Sequence, residues 1–253
     1  MKARLKIYLT AIAALMPQPI AGVALRALGH RVDSGVKIGF SLLLIEHMAL
    51  QHGARIGQFN VLRLRRLVMR TGAYFGRMNL VHGPLSISMA ERSAIGNNNK
   101  VVRAAINTIT IGPALLRLGE LTKITAGHRI DCTSSVYIGN FSTIAGIATE
   151  IWTHGYVHAE HGPGRYRVDG NVSIGCNVYV GSSSCITAGV QIADGIIVGA
   201  RTTVATNLLE PGMYVSAGIR RLARPADPDA RVDLERINDA RLCETVYRKR
   251  RPV

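Results

Sequence analysis

Acidic residues are scarce in this chain. Sixteen Asp and Glu stand against 31 Lys and Arg, a formal net charge of +15. None falls between Glu46 and Glu91, a stretch that holds Arg55, Arg63, Arg65, Arg66, Arg70 and Arg77. Such a balance attracts polyanions, whether nucleic acid, anionic lipid, acidic polysaccharide or a phosphorylated cofactor, without choosing among them. Aromatics are also few, at 5% with a single Trp, which argues for small aliphatic layers over an aromatic-rich core. No helix-turn-helix, zinc-finger or aromatic RNA-binding motif is present, so nucleic acid is not the expected partner. The four cysteines, Cys132, Cys176, Cys185 and Cys243, show neither the short paired spacing of a zinc site nor the density of a secreted miniprotein. They read as reduced thiols of a cytoplasmic protein. Long apolar runs are missing too. MKARLKIYLTAIAALMPQP mimics a signal peptide, yet its apolar run is too short to span a bilayer.

That N-terminal run carries Leu5, Leu9, Ile12 and Met16 at helical spacing, ended by Pro17 and Pro19. We read an amphipathic helix and then a second from Ile20 to Leu28, together a segment over 1–34. It either caps the core or lies on a membrane surface as a cationic anchor.

What the chain has in abundance is glycine, 26 in all, and a period of six. Ile174, Val180, Ile186, Ile192, Val198 and Val204 recur without a slip, with Gly175, Gly181, Ala193, Gly199 and Ala205 behind most of them. A second layer precedes each by two residues: Val172, Val178, Ser184, Val190, Ile196 and Thr202. An earlier block reads Ile38, Leu44, Leu50, Ile56, Leu62, Val68, Tyr74 and Leu80, with Val36, Leu42 and Met48 in the second layer. Between them lie Ile124, Ile130, Val136, Ile138 and Ile144. Neither helical nor alternating periodicity fits. One inward aliphatic every six residues marks a parallel β-helix, three hexads to a coil. The expected architecture is an all-β solenoid over 35–210, with a loop extruded at about 147–171 and a helical cap with a basic tail over 211–253.

The extruded loop contains EIWTHGYVHAEHGPG, with the only Trp and three of the eight His. Loops projecting from rigid scaffolds often carry function. An imidazole there suits a general base, and backbone N–H groups of the tight turns suit an oxyanion. His154 is the chosen base, with Glu150 or Asp169 expected to orient its ring. Trp152, Tyr156 and His158 are expected at the acceptor, since flat aromatics offer apolar area at little entropic cost.

VSIGCNVYVGSSSCITAGVQIADGIIVGARTTVATNLLEPGMYVSAG resembles the hexapeptide-repeat acyltransferases with a left-handed β-helix, and THGYVH before VSIGCNVYVGS resembles the polysaccharide and lipopolysaccharide O-acetyltransferases among them. The likeness is specific over Ser135–Gly218 and weaker over Val36–Thr125. It implies a left-handed coil, a homotrimer, acetyl-CoA in a cleft between neighbouring coils, and a His base near the loop. Matched to the family pattern, Ser182 would contact the pantetheine arm and the Gly199–Ala200 turn would offer its backbone. Relatives carry a Lys where Thr206 stands, and a different close where Gly218 precedes IRR; Arg201, Arg220 and Arg221 are expected to pair with coenzyme phosphates instead.

The implied activity is transfer of an acetyl group from acetyl-CoA to a hydroxyl of a capsule, exopolysaccharide or lipopolysaccharide sugar, in the cytoplasm or at the inner face of its membrane. The acceptor would be a glycan or lipid-linked precursor. Three alternatives stand beside it. An amino-sugar N-acyltransferase is the nearest. A zinc enzyme like the carbonic anhydrases on this fold would use His154, His158 and His161. A silent scaffold would bind no coenzyme. No metal is assigned.

Overall fold

Each coil needs small residues at its corners and one aliphatic side chain per face. The computed structural model, which describes residues 3–104, 110–216, 227–240, 242 and 245–250, shows that arrangement. The chain winds into a parallel β-helix of three faces. One face is a nine-stranded parallel sheet running from Lys37–Ile38 through Arg55–Ile56, Tyr74–Phe75, Ala94–Ile95, Lys123–Ile124, Thr143–Ile144, Tyr179–Val180 and Ile197–Val198 to Met213–Tyr214. The other two faces join in one 14-stranded sheet. They fuse because two nine-residue strands, Leu42–Leu50 and Val61–Met69, continue around a corner. Val61–Arg63 pairs with Leu80–His82 on one face, while Arg66–Met69 pairs with Arg66's neighbours Ser86–Met89 on the next.

The late hexads are buried as their spacing predicts. Ile174, Val180, Ile186, Ile192, Val198 and Val204 all point inward, and so do all six residues of the second layer. The middle block, Ile124, Ile130, Val136, Ile138 and Ile144, is buried as well. The early block departs from strict phase. Ile38, Leu50, Ile56 and Leu62 are inside, but Leu44 and Val68 are half-buried, and Tyr74 and Leu80 are exposed. Leu43, Ile45, Leu64, Leu67, Met69, Phe75 and Val81 fill the core instead. The register pairs explain the slip. Ile38 pairs with Ile56, 18 residues on, but Ile56 pairs with Phe75 and Phe75 with Ile95, so these coils contain one and two residues more. A single added residue turns a strand's side chains over.

Two columns fix the coil spacing. The first is glycine: a Cβ on Gly57 would lie 2.5 Å from the Gly76 carbonyl oxygen, and one on Gly96 would lie 2.0 Å from that of Thr125. No side chain fits there. The second is polar and buried. The backbone N–H of Asn79 donates to Asn60 Oδ1 (2.9 Å), that of Asn99 to Asn79 Oδ1 (2.8 Å), and that of His128 to Asn99 Oδ1 (2.9 Å). The Thr149 N–H then donates to His128 Nδ1 at 3.1 Å, which continues the column with an imidazole in place of an amide. Burial lowers the His128 pKa to about 4, against backbone hydrogen bonds that raise it.

Helices α1 (Ala3–Ala14) and α2 (Gln18–Ala27) close the first coil. The side of α1 that packs is built from Thr10, Ala11, Ala13 and Ala14, whereas Leu5, Tyr8 and Ile12 are more than half exposed. The apolar stripe that the spacing picks out therefore faces outward. Thr10 Oγ1 meets His30 Nε2 at 2.8 Å, and His30 Nδ1 accepts the Met48 N–H at 3.1 Å, which ties α1 to the coil. Burial, with the nearby charges of Lys6 and His47, lowers the His30 pKa to about 4. Among the described residues no helix is long and apolar enough to cross a membrane.

The chain leaves the solenoid between Ile144 and Val180, which are register partners 36 residues apart. The extruded segment is an antiparallel hairpin, His154–His158 with Arg165–Asp169. The C-terminal segment differs from the expected helical cap. Its described residues form a short 3-10 turn, Pro228–Ala230, and two strands, Leu234–Ile237 and Val246–Lys249. The last strand adds in parallel to Arg165–Asp169, giving a separate four-stranded sheet. The hairpin's open edge gives the segment backbone partners that a helix would forgo. Val168, Leu234 and Tyr247 form the small core of this sheet.

Candidate active site

His154 begins the hairpin immediately after a coil strand, Glu150–Ile151. The preceding coil lays Arg129–Asp131 against that strand, with Arg129 beside Glu150 and Ile130 beside Ile151. Asp131 therefore arrives at the corner where the hairpin departs. His154 Nδ1 lies 2.9 Å from Asp131 Oδ2. The orienting carboxylate is thus Asp131, and neither Glu150 nor Asp169 takes that place. Glu150 Oε2 instead accepts from Trp152 Nε1 at 3.0 Å. Asp169 is gripped by Arg167, at 2.7 Å from Nε and 3.0 Å from Nη2.

Asp131 is buried and well supplied with donors. Oδ2 accepts from Thr153 Oγ1 (2.6 Å) and from the N–H groups of Thr153 (3.1 Å) and Thr133 (3.2 Å), while Oδ1 accepts from Thr133 Oγ1 (3.0 Å). Desolvation pushes its pKa upward, but hydrogen bonds from His154, Thr153 and Thr133 outweigh it, and the net shift is downward. An ionised carboxylate only accepts, so Nδ1 of His154 must be the donor. The neutral ring then carries its lone pair on Nε2, which has no partner among the described residues. The Asp131 hydrogen bond raises the His154 pKa against the opposing effect of burial. Asp169, across the hairpin from His154, has its pKa raised by burial in spite of Arg167.

Alternate residues of an extended strand share a side, and here that side is a row of rings. Trp152 and His154 meet edge to face at 6.0 Å between centroids, His154 and Tyr156 at 5.9 Å, and Tyr156 and His158 lie 6.4 Å apart. The Arg165 guanidinium sits 5.0 Å from the Tyr156 ring centre. Trp152 and Asp131 also line a small cleft of about 80 Å³ with Lys100, Val102, Arg129 and Ile130. The structure therefore gathers the four residues expected at the base and acceptor, and adds Asp131.

The residues expected at the coenzyme lie elsewhere in the same chain. Ser182 precedes the strand Cys185–Ile186, and its carbonyl accepts the Arg201 N–H at 2.9 Å. A Cβ on Gly181 would lie 2.5 Å from the Ala200 nitrogen, so the Ser182 and Gly199–Arg201 corners stack directly. Ala200 and Arg201 are exposed. Small residues beside an exposed guanidinium fit an extended arm ending in phosphates. Arg220 and Arg221 lie outside the described residues. Cys185–Ile186 pairs with Glu150–Ile151. The Ser182 corner is at the start of that face and His154 is past its end. Among the described residues no three His, Cys, Asp or Glu side chains converge in the manner of a metal site.

Asp131 is the functional residue that sequence reasoning missed. Its signal is arithmetical: counting one coil of 21 residues back from Trp152 lands on it.

No family model matches the chain, and no curated protein matches its sequence. Among solved structures it is similar to the polySia specific acetyltransferase NeuO, with a TM-score of 0.49 and 16% sequence identity over 80% of this chain and 90% of that one.

Proposed function

We propose that the protein is an acetyl-CoA-dependent O-acetyltransferase acting on a sugar hydroxyl of a surface-polysaccharide or lipopolysaccharide precursor. One observation carries the reading: a histidine with its Nδ1 held by a buried carboxylate and its Nε2 unpartnered, at the foot of a row of aromatic rings. Nε2 takes the hydroxyl proton as the oxygen attacks the thioester carbonyl. The C–S bond then breaks, the imidazolium returns the proton to the departing thiolate, and no covalent enzyme intermediate forms. Asp131 keeps the tautomer and stabilises the imidazolium, the part a buried carboxylate plays beside such a base. Trp152, Tyr156 and His158 offer surfaces for a sugar ring.

Acetyl-CoA would supply the thioester, with Ser182, Gly199, Ala200 and Arg201 as its contacts and Arg220 and Arg221 toward its phosphates. Because the base and this corner stand at opposite ends of one face, the reading calls for a cleft shared between copies, and a homotrimer provides it. The exposed Leu5, Tyr8 and Ile12 of α1, on a strongly basic protein, support peripheral contact with an anionic membrane.

The experiment is calorimetry of acetyl-CoA on wild type and His154→Ala. Micromolar binding by both is expected. No binding by the wild type would sink the proposal.

A further inference from the structure

The second-largest demand for a partner in this molecule is made by a guanidinium. Arg103 is 2% exposed, and its Nε and Nη1 have no hydrogen-bond partner. Only Nη2 is engaged, by the carbonyls of Ile111 (3.2 Å) and Gly112 (2.6 Å). A buried cation with two unsatisfied nitrogens is costly, and burial lowers its pKa even with Asp131 and Asp169 nearby. The fold makes specific room for it. Gly83 has φ +136°, and a Cβ there would lie 2.2 Å from the Arg103 carbonyl oxygen.

Arg103 lines a cavity of about 800 Å³ with Arg63, Arg65, His82, Gly83, Pro84, Glu46 and the α1 residues Ile7 and Tyr8. Three arginines and a histidine thus face one carboxylate. Among the described residues none of the three arginines forms an ion pair. Arg63 Nη1 lies 3.5 Å from His82 Nε2.

The cavity is also in line with the candidate base. Arg63 pairs with His82, His82 with Val102, and Val102 with Asp131. These four residues form one file across three strand spacings, roughly 14 Å. Lys100 and Arg129 flank the file between its ends.

We propose that this cavity is an anion subsite of the acceptor, in which Arg103, Arg63 and Arg65 hold a carboxylate or phosphate of the glycan while a hydroxyl further along the same chain reaches His154. Two N–H groups of one guanidinium match two oxygens of such an anion. The acceptor class is therefore an acidic or phosphorylated oligosaccharide. This rests on the acetyl-transfer reading for the place of the hydroxyl, while anion binding itself does not.

Four acceptors test it on the full-length protein: an oligosaccharide bearing uronic acid, its carboxyl-reduced counterpart, a phosphorylated oligosaccharide and its dephosphorylated form. Steady-state kinetics are run on wild type, Arg103→Lys and the surface pair Arg63→Gln/Arg65→Gln. Calorimetry with glucuronate and inorganic phosphate accompanies them. One charged acceptor should show a KM at least about tenfold below its neutral partner, and which one does so tells carboxylate from phosphate. In the surface pair that KM should rise at least about tenfold, with kcat and acetyl-CoA affinity little changed. Equal KM values for charged and neutral acceptors, or a KM indifferent to all three arginines, overturn the subsite while leaving acetyl transfer intact. If no acceptor is turned over, the calorimetry decides. Anion binding lost in the variants supports the subsite while transfer fails, and no anion binding by the wild type overturns it.

Discussion

His154 and Asp131 lie 23 residues apart in the chain and 2.9 Å apart in space, joined through Nδ1 and Oδ2. The pairing depends on two separate features: the coil that brings Asp131 to the corner, and the hairpin that starts there. Four further donors hold the carboxylate, so the imidazole is oriented by a group that is itself fixed.

Removing the imidazole should abolish proton transfer and leave the donor corner intact. His154→Ala is expected to lower kcat by about 10²–10⁴-fold while acetyl-CoA affinity stays within about twofold, read by initial rates and calorimetry.

Asp131→Asn tests the orientation. The neutral amide no longer stabilises the imidazolium, and it can present an N–H to Nδ1, which would put the ring proton on Nε2. Because Asp131 raises the His154 pKa, the wild-type rate should climb with pH through a limb above the ordinary 6.5. In the variant that limb should move to lower pH and the plateau should fall at least about tenfold. An unmoved limb in the pH profile contradicts the assignment.

Stability should respond to acid through two other histidines. His30 and His128 have pKa values near 4 in the folded chain against 6.5 as the model value. The folded state binds fewer protons between those values, so the contribution of these groups is fully present above pH 6.5 and is lost as pH falls toward 4. His128→Asn offers an Oδ1 to the Thr149 N–H in the manner of the asparagines above it. Denaturant titrations at stepped pH should show a shallower loss for this variant over that window.

The ladder itself should tolerate little. Ile186 is fully buried on the coil beside the hairpin, and Ile186→Ala should cost about 2–5 kcal/mol, seen as a lower midpoint in chemical denaturation.

How much of this was legible in the sequence varied with local regularity. The hexads from Ile174 to Val204 announce their inward faces because coils of 18 residues keep a constant phase. Tyr74 and Leu80 were misplaced because the coils before them are longer by one or two residues. The hairpin strands went unread because their exposed and half-buried residues follow no core-facing pattern. Leu234, Ile237 and Val246 suggested a helix, but tertiary pairing with Arg165–Asp169 overrode that spacing. His154 could be chosen from its neighbours in the text, whereas Asp131 required knowing the length of the coil between them.

The small sheet beside the solenoid has a consequence in time. The arm that begins with His154 pairs with a strand some 80 residues downstream, Val246–Lys249. Contacts so distant in sequence form late, and during synthesis the earlier coils emerge and stack first. A ribosome that has made the whole ladder has still to deliver the strand that braces the imidazole, so the nascent chain acquires its shape well before its reactivity.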